Sequence, residues 1–135
     1  MSEQNKEIVR RVFQEMDNGN PVIFYDLFAE DFQGHFPGSL KPLDREGHKQ
    51  FAQAFFEALP DLRHIIEDQI SEGDRVASLI TVEGTHKGHF RGIPPTGKEV
   101  SYPSMTIHRI VDGKIVEEWV VADILGMMQQ LGESP

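Results

Sequence analysis

Hydrophobic positions in the first part of the chain recur with the period of an α-helix. Five of them fall on one helical face and predict a first helix: Ile8, Val9, Val12, Phe13 and Met16. Asn20 and Pro21, an N-cap and first-turn pair, predict a second helix. Its inward residues would be Phe24, Leu27 and Phe28. The pattern of the first helix returns over residues 45–58, and Pro60 ends this third helix.

From residue 62 onward the pattern changes from helical to alternating. Four strands are predicted, over residues 62–71, 75–85, 100–111 and 114–122. Residues 72–74 and 112–113 are turn signals, and residues 88–97 form a loop rich in glycine and proline. A short helix over residues 124–131 follows. Because helices come first and an antiparallel meander follows, we predict an α+β fold with the helices on one face of the sheet.

Composition and charge narrow the classes of function. The 135 residues fit one domain. The absence of cysteine excludes a disulfide scaffold, a thiol nucleophile and a thiolate metal site. A formal net charge of −9 opposes binding to nucleic acid, which depends on cationic contacts to phosphates. The chain begins with a polar segment and has no apolar run of membrane-spanning length, so we predict a cytoplasmic protein without a membrane partner.

Three stretches carry a resemblance to a known family. Residues 31–35 (DFQGH) are similar to the strand-like segment that follows the second helix of NTF2-like proteins. Residues 84–97 (GTHKGHFRGIPPTG) resemble a loop of the SnoaL-like polyketide cyclases, also called ester cyclases, and residues 109–119 (RIVDGKIVEEW) resemble their closing hairpin. The resemblance implies an NTF2-like cone, in which the N-terminal helices pack on the concave face of a curved, mostly antiparallel sheet. It covers residues 1–135 as a single domain.

The same resemblance implies a function. Members of the family cyclise polyketide esters by intramolecular aldol condensation, without a cofactor, and an aspartate acts as the acid/base. The matching position in this chain is Asp123. We therefore expect a cofactor-independent acid/base enzyme that acts on a small apolar carbonyl compound in an enclosed pocket. An isomerase, a dehydratase or an epoxide hydrolase on the same fold, and a non-catalytic small-molecule binding protein, remain alternatives.

Asp123 also has a purely structural interpretation. It lies in the apolar run 120–125, where loss of solvation would favour the neutral acid that general acid/base catalysis can use. It also directly precedes the last predicted helix, where aspartate is a favoured N-cap. The residues alone leave both roles open, and the family resemblance favours the catalytic one.

The predicted hairpin decides which side chains share a face with Asp123. Alternation places Glu117, Trp119 and Val121 on that face. A two-residue turn would pair them with Tyr102, Ser104, Thr106 and His108. A bulged three-residue loop would pair them with Met105, Ile107 and Arg109. We prefer the bulged loop because Gly113 then occupies the left-handed position. The predicted pocket wall is Met105, Ile107, Trp119 and Val121, with an ion pair between Arg109 and Glu117 near the turn.

Histidines supply further candidate site residues. His35 could hold or polarise a ligand carbonyl, or it could be a surface residue. His86 and His89 are oddly spaced and would lie on opposite faces of a strand, so we predict no metal site. His86 and Phe90 are predicted to fold the loop over the pocket mouth, and His48 and His64 are predicted to be surface residues.

The other face of the last two strands predicts self-association. It would carry Val116, Glu118, Val120 and Ala122, together with Tyr102, Ser104, Thr106 and His108. A solvated antiparallel face should be polar at nearly every second position, and this one is half apolar. We therefore predict a homodimer or a larger assembly of dimers.

Overall fold

The computed structural model describes residues 2–132, and within them four helices pack against one five-stranded sheet. The helices are α1 (Ser2–Asp17), α2 (Ile23–Asp26), α3 (Arg45–Ala58) and α4 (Ile124–Gln130). The strands are β1 (Phe28–His35), β2 (Arg63–Glu72), β3 (Arg75–Thr85), β4 (Glu99–Val111) and β5 (Lys114–Ala122).

The sheet is curved and open, with the strand order β1-β5-β4-β3-β2. Strand β1 runs parallel to β5, and the other neighbouring strands are antiparallel. Helix α1 packs across β2 and β3, and α3 packs against β1, so the helices cover the concave face. The predicted α+β class and NTF2-like cone are confirmed. None of the helices in the described range has both the length and the apolar character needed to cross a membrane.

Helix α2 is shorter than predicted. It ends at Asp26 after about one turn, and Phe28 already belongs to β1. The backbone amide of Ile115 donates a hydrogen bond to the carbonyl of Leu27 at 2.7 Å. With this bond the chain begins to pair with β5, so the helix cannot continue. Phe28 is still buried, as predicted, but as a strand residue.

The register of the β4–β5 hairpin is the predicted one, but the turn differs. Met105 pairs with Val121, Ile107 with Trp119, and Arg109 with Glu117. Asp112 and Gly113 have φ angles of 52° and 76°, so they form a two-residue turn in which both positions are left-handed. The predicted three-residue loop is therefore wrong. The extra residue is Val116, which bulges from β5 because Arg109 pairs with Glu117 while Ile110 pairs with Ile115.

The two faces of this hairpin are the reverse of the prediction. The helices cover the face that carries Tyr102, Ser104, Thr106, His108 and Glu118, all of which are buried. The predicted pocket wall lies on the outer face, where Met105 is 56% exposed, Ile107 39% and Val121 73%. Apolar residues occur on both faces of these strands. The alternation therefore shows which residues share a face, but not which face the helices cover. The face predicted to bind a second copy is the concave, interior face.

Candidate active site

A cavity of about 100 Å³ lies between α1, α3 and the concave face of the sheet. Most of its wall is apolar and comes from Phe13, Met16, Phe36, Phe51, Ala52, Phe55, Phe56, Leu62, Ile80, Val82, Val120, Ala122 and Ile124. Its polar side chains are His48, His64, Tyr102, Ser104, Thr106 and Glu118. Pro37 and Arg91 from two loops complete the lining. The cavity therefore combines an apolar enclosure with a few polar groups concentrated on the sheet.

Glu118 is the only carboxylate among the described residues that line this cavity. The alternation of β5 turns it inward, opposite its cross-strand partner His108. Glu118 Oε2 lies 3.0 Å from His108 Nε2, and Oε1 lies 3.7 Å from His48 Nε2. Within residues 2–132, Oε1 makes no hydrogen bond although it is buried. One carboxylate oxygen thus lies beside an imidazole, and the other has unused acceptor capacity.

The charge state of this cluster follows from its surroundings. Burial alone would raise the pKa of Glu118, but His108 and His48 beside it outweigh that effect and lower the pKa. Burial lowers the pKa of His48 to about 4 against the opposing effect of Glu118. At neutral pH Glu118 is therefore an ionised carboxylate, and His48 is a neutral imidazole.

His48 was wrongly predicted to be a surface residue. Its ring is surrounded by phenylalanine rings at centroid distances of 4.7–5.4 Å, from Phe24, Phe28, Phe32 and Phe36. The sequence holds a signal for this placement, because His48 precedes Phe51, Ala52 and Phe55 at helical spacings of three, four and seven. A histidine on the inward stripe of α3 had to be buried.

His64 was also wrongly predicted to lie on the surface. It lines the cavity from β2, and its side chain is only 14% exposed. Its Nδ1 lies 2.7 Å from Asp17 Oδ1, and its backbone amide donates to Asp17 Oδ2 at 2.8 Å. Asp17, the last residue of α1, thereby fixes the position of this imidazole.

Asp123 lies outside the cavity lining and is exposed. Its Oδ1 accepts a hydrogen bond from the backbone amide of Gly126 at 2.8 Å, which makes it the N-cap of α4. A side chain at position 126 would collide with the Asp123 carboxylate, so glycine there permits the cap. The geometry at Asp123 is therefore that of a helix N-cap, which was its structural interpretation.

The remaining polar candidates form a network on the outer face. His35 stacks on Trp119 with ring centroids 5.4 Å apart, and its Nε2 lies 2.8 Å from Glu117 Oε2. The predicted ion pair is confirmed, because Arg109 Nη2 lies 3.5 Å from Glu117 Oε1. Trp119 is half-buried, and Arg75 lies over its ring. The expectation that His35, Trp119 and Arg109 face the pocket was wrong, since β1, β5 and β4 present them on the convex side.

The glycine-rich loop is fastened beside the cavity by His86. This residue is fully buried, and its Nδ1 accepts a hydrogen bond from the backbone amide of Thr96 at 3.2 Å. Phe90 is also buried, with its ring centroid 5.3 Å from that of Phe55, which lines the cavity. Arg91, rather than His86 or Phe90, is the loop residue that reaches the lining. Within residues 2–132, no group of three or more His, Asp or Glu side chains could hold a metal ion.

Comparison with known proteins identifies the family. The family model for SnoaL-like polyketide cyclases matches residues 7–131. The chain belongs to the SnoaL-like polyketide cyclase family. It is 30% identical over 132 residues to the aklanonic acid methyl ester cyclase DnrD of Streptomyces peucetius, covering 94% of this chain and 90% of that protein. It is 33% identical over 104 residues to the nogalonic acid methyl ester cyclase of Streptomyces nogalater, covering 72% and 75%.

Two solved structures superpose over nearly the whole chain. IdmH of Streptomyces antibioticus, a proposed polyketide cyclase, aligns with a TM-score of 0.89 and 30% identity, covering 96% of this chain and 99% of that one. AclR of Streptomyces galilaeus, a proposed hydroxylase, aligns with a TM-score of 0.90 and 27% identity over the full length of both chains. The fold is thus shared by proteins to which different reactions are ascribed, and the chemistry must be argued from the site.

Proposed function

We propose that this chain is a cofactor-independent acid/base enzyme that acts on a small, largely apolar carbonyl compound, with Glu118 as the base. The observation that carries the proposal is an ionised, buried carboxylate in a largely apolar cavity, with one oxygen that has no hydrogen-bond partner among the described residues. An exposed helix cap such as Asp123 has no comparable access to a ligand in this cavity.

The proposed reaction is an intramolecular aldol condensation. Glu118 removes a proton from the carbon next to a carbonyl group, and the resulting enolate carbon bonds to a second carbonyl carbon of the same molecule. The enolate oxygen needs hydrogen-bond donors, which Tyr102 and Thr106 on β4 can supply. Burial raises the pKa of Tyr102 to about 12, so its hydroxyl stays protonated and can donate. The hydroxyl of Thr106 is buried and has no hydrogen-bond partner among the described residues.

The substrate is proposed to be an ester-bearing polyketide. The curated relatives are named for aklanonic and nogalonic acid methyl esters, which makes a methyl ester the first substrate class to test.

A pair of matched variants tests the assignment of the base. Glu118→Gln and Asp123→Asn each replace a carboxylate by its amide with little change in shape. With aklanonic or nogalonic acid methyl ester, we expect Glu118→Gln to lower kcat by roughly 10²–10⁴-fold, because it removes the proton acceptor. Asp123→Asn should stay close to the wild type, since an amide oxygen can still cap the helix.

The opposite results would transfer the assignment to Asp123. Full activity in Glu118→Gln would contradict the proposal. Native mass spectrometry of the purified protein adds a check for the binding-protein alternative: a small molecule that stays bound and is never converted by the wild type would support that alternative.

A further inference from the structure

A second polar group faces the cavity from the junction of α1 and β2. We call it the Asp17–His64 dyad. Both oxygens of the Asp17 carboxylate are bound to His64, one to the ring Nδ1 at 2.7 Å and the other to the backbone amide at 2.8 Å. Two contacts to one residue fix both the position of the imidazole and the direction of its Nδ1. The ring is thus held more firmly than a side chain on a solvated strand.

The other ring nitrogen of His64 is available to a ligand. Within residues 2–132, Nε2 of His64 makes no hydrogen bond or ion pair, although the side chain lines the cavity. The ring packs against Phe13 with centroids 4.7 Å apart, and the Phe13 ring contacts His108 at 5.8 Å. Phe13 therefore touches both His64 and the imidazole that holds Glu118. His64 also lowers the pKa of Glu118, by less than His108 and His48 do.

We propose that His64 is a second catalytic residue, which donates a proton from Nε2 to the alkoxide of the aldol step, and that Asp17 is its positioning residue. This inference rests on the proposed function, in which Glu118 takes the carbon-bound proton. Imidazole is a common proton donor in catalysis, and the bond from Asp17 to Nδ1 fixes the ring and leaves Nε2 for the substrate.

The proposed step balances without a co-reactant. Glu118 accepts the proton of the C–H bond, and the electron pair of that bond forms the enolate. The enolate carbon bonds to the second carbonyl carbon, whose π pair moves to oxygen as an alkoxide. That oxygen takes the proton of His64 Nε2. Proton exchange with water then restores the carboxylate of Glu118 and the imidazolium of His64.

Two groups at separate positions in the cavity suit this reaction better than one. The carbon that loses its proton and the oxygen that gains one belong to different parts of the substrate. Glu118 lies on β5 beside His108 and His48, whereas His64 lies on β2 beside α1, and strands β4 and β3 separate the two in the sheet. A ligand that spans these positions would present its acidic carbon to one group and its electrophilic carbonyl to the other.

Three variants separate this role from a structural one. His64→Gln removes the proton donor, and Asp17→Asn keeps an acceptor for the backbone amide of His64 but loses the charge that supports the imidazolium. His89→Gln, at an exposed histidine outside the cavity lining, is the matched control. The assay uses aklanonic acid methyl ester and measures both cyclisation and deuterium exchange at the acidic carbon in D2O.

We expect His64→Gln to lower kcat for cyclisation by roughly 10²–10⁴-fold with little change in KM, while exchange at carbon persists because Glu118 is intact. Asp17→Asn should lower kcat in the same direction, and His89→Gln should match the wild type. In Glu118→Gln both exchange and cyclisation should fall. Full cyclisation by His64→Gln would overturn the inference while leaving Glu118 in place, whereas full activity in Glu118→Gln would overturn the proposed function itself.

Nitrogen NMR of the wild type provides a readout that needs no substrate. We expect His64 Nδ1 to carry a proton that is hydrogen-bonded to Asp17, and this signal should change in Asp17→Asn. An Nδ1 without a proton in the wild type would overturn the positioning role of Asp17. If Asp17→Asn proves unfolded in a thermal melt, His64→Gln and the wild-type spectrum still decide the question.

Discussion

At the scale of single residues, Glu118 carries a charge in a place where packing alone would oppose one. A buried carboxylate loses its hydration and needs partners within the protein. Here the partners are His108 at 3.0 Å and His48 at 3.7 Å, both buried. Because His48 lies among phenylalanine rings, its neutral form is favoured, and its pKa is lowered to about 4 by burial.

This arrangement predicts a loss of stability in acid. Between the ordinary His48 pKa of 6.5 and its folded value near 4, the unfolded chain binds a proton that the folded chain excludes. The contribution of His48 is therefore complete above pH 6.5 and is lost as the pH falls toward 4. The lowered pKa of Glu118 continues the loss below its ordinary 4.5. Denaturant titrations should find a decrease of up to about 3 kcal/mol in the free energy of unfolding between pH 6.5 and 4.

An exposed histidine provides the control for this prediction. His89→Gln should show the same decline as the wild type, whereas a His48→Gln variant should lose most of the decline between pH 6.5 and 4. A wild-type stability that stays flat across that range would mean that His48 is not excluded from protonation in the folded state.

At the scale of elements, α3 and α4 begin in the same way. Asp44 accepts from the amide of Gly47 at 2.7 Å, and Asp123 accepts from the amide of Gly126 at 2.8 Å. In each case the carboxylate satisfies one backbone donor of the first turn, and a glycine leaves room for the cap. Asp123 therefore has a complete structural reason to be aspartate.

The cap at Asp123 can be tested by stability. Asp123→Ala should lower the free energy of unfolding by about 1 kcal/mol, and Asp123→Asn should change it by much less, because the amide oxygen still accepts the bond from Gly126. Asp44→Ala on α3 should give a loss of similar size. Chemical denaturation measures all three, and an Asp123→Ala variant as stable as the wild type would show that the cap contributes nothing.

The sequence predicts individual elements better than it predicts their orientation. Helix α3 and strands β3 and β5 have the bounds that periodicity and turn residues predict. The pairing of Met105 with Val121 was predicted from a three-residue loop, and the structure reaches the same register by a two-residue turn and a bulge at Val116. The side of the hairpin that faces the helices was not predictable, because it depends on packing between distant segments. Asp17 and His64, 47 positions apart, are joined for the same reason and give no local signal.

At the scale of the whole molecule, the outer face of the sheet carries an exposed apolar surface. Leu79 on β3, Met105 on β4 and Val121 on β5 form one row across three strands. Ile107 and Trp119 lie beside it, so the surface is continuous rather than scattered. Its border carries charges of both signs, from Arg75, Arg109 and Glu117. In a two-fold symmetric dimer, positive charges of one copy can lie next to negative charges of the other.

We therefore expect a homodimer in which a second copy covers this outer face. Sedimentation equilibrium should give about twice the chain mass of 15.3 kDa at micromolar concentration. Met105→Glu should dissociate the dimer into folded monomers, because it places a charge at the centre of the surface. Leu40→Glu is the control, since Leu40 is a fully exposed apolar residue elsewhere. A monomeric wild type at every concentration would exclude this interface.

The bulge at Val116 determines which residues of β5 point toward the cavity. Residues directly opposite each other in a sheet point to the same face. One unpaired residue in β5 therefore reverses, for all later positions of the strand, which residues point inward and which point outward. With the bulge, Glu118 lies opposite His108 and points inward. Without it, the pairing at the turn would continue and Glu118 would lie opposite Ile107, on the outer surface, with Trp119 inside. The inward position of Glu118 therefore depends on residue 116 staying outside the ladder: a regular pairing of Val116 with Arg109 would turn Glu118 outward, whereas deletion of residue 116 would leave Glu118 opposite His108.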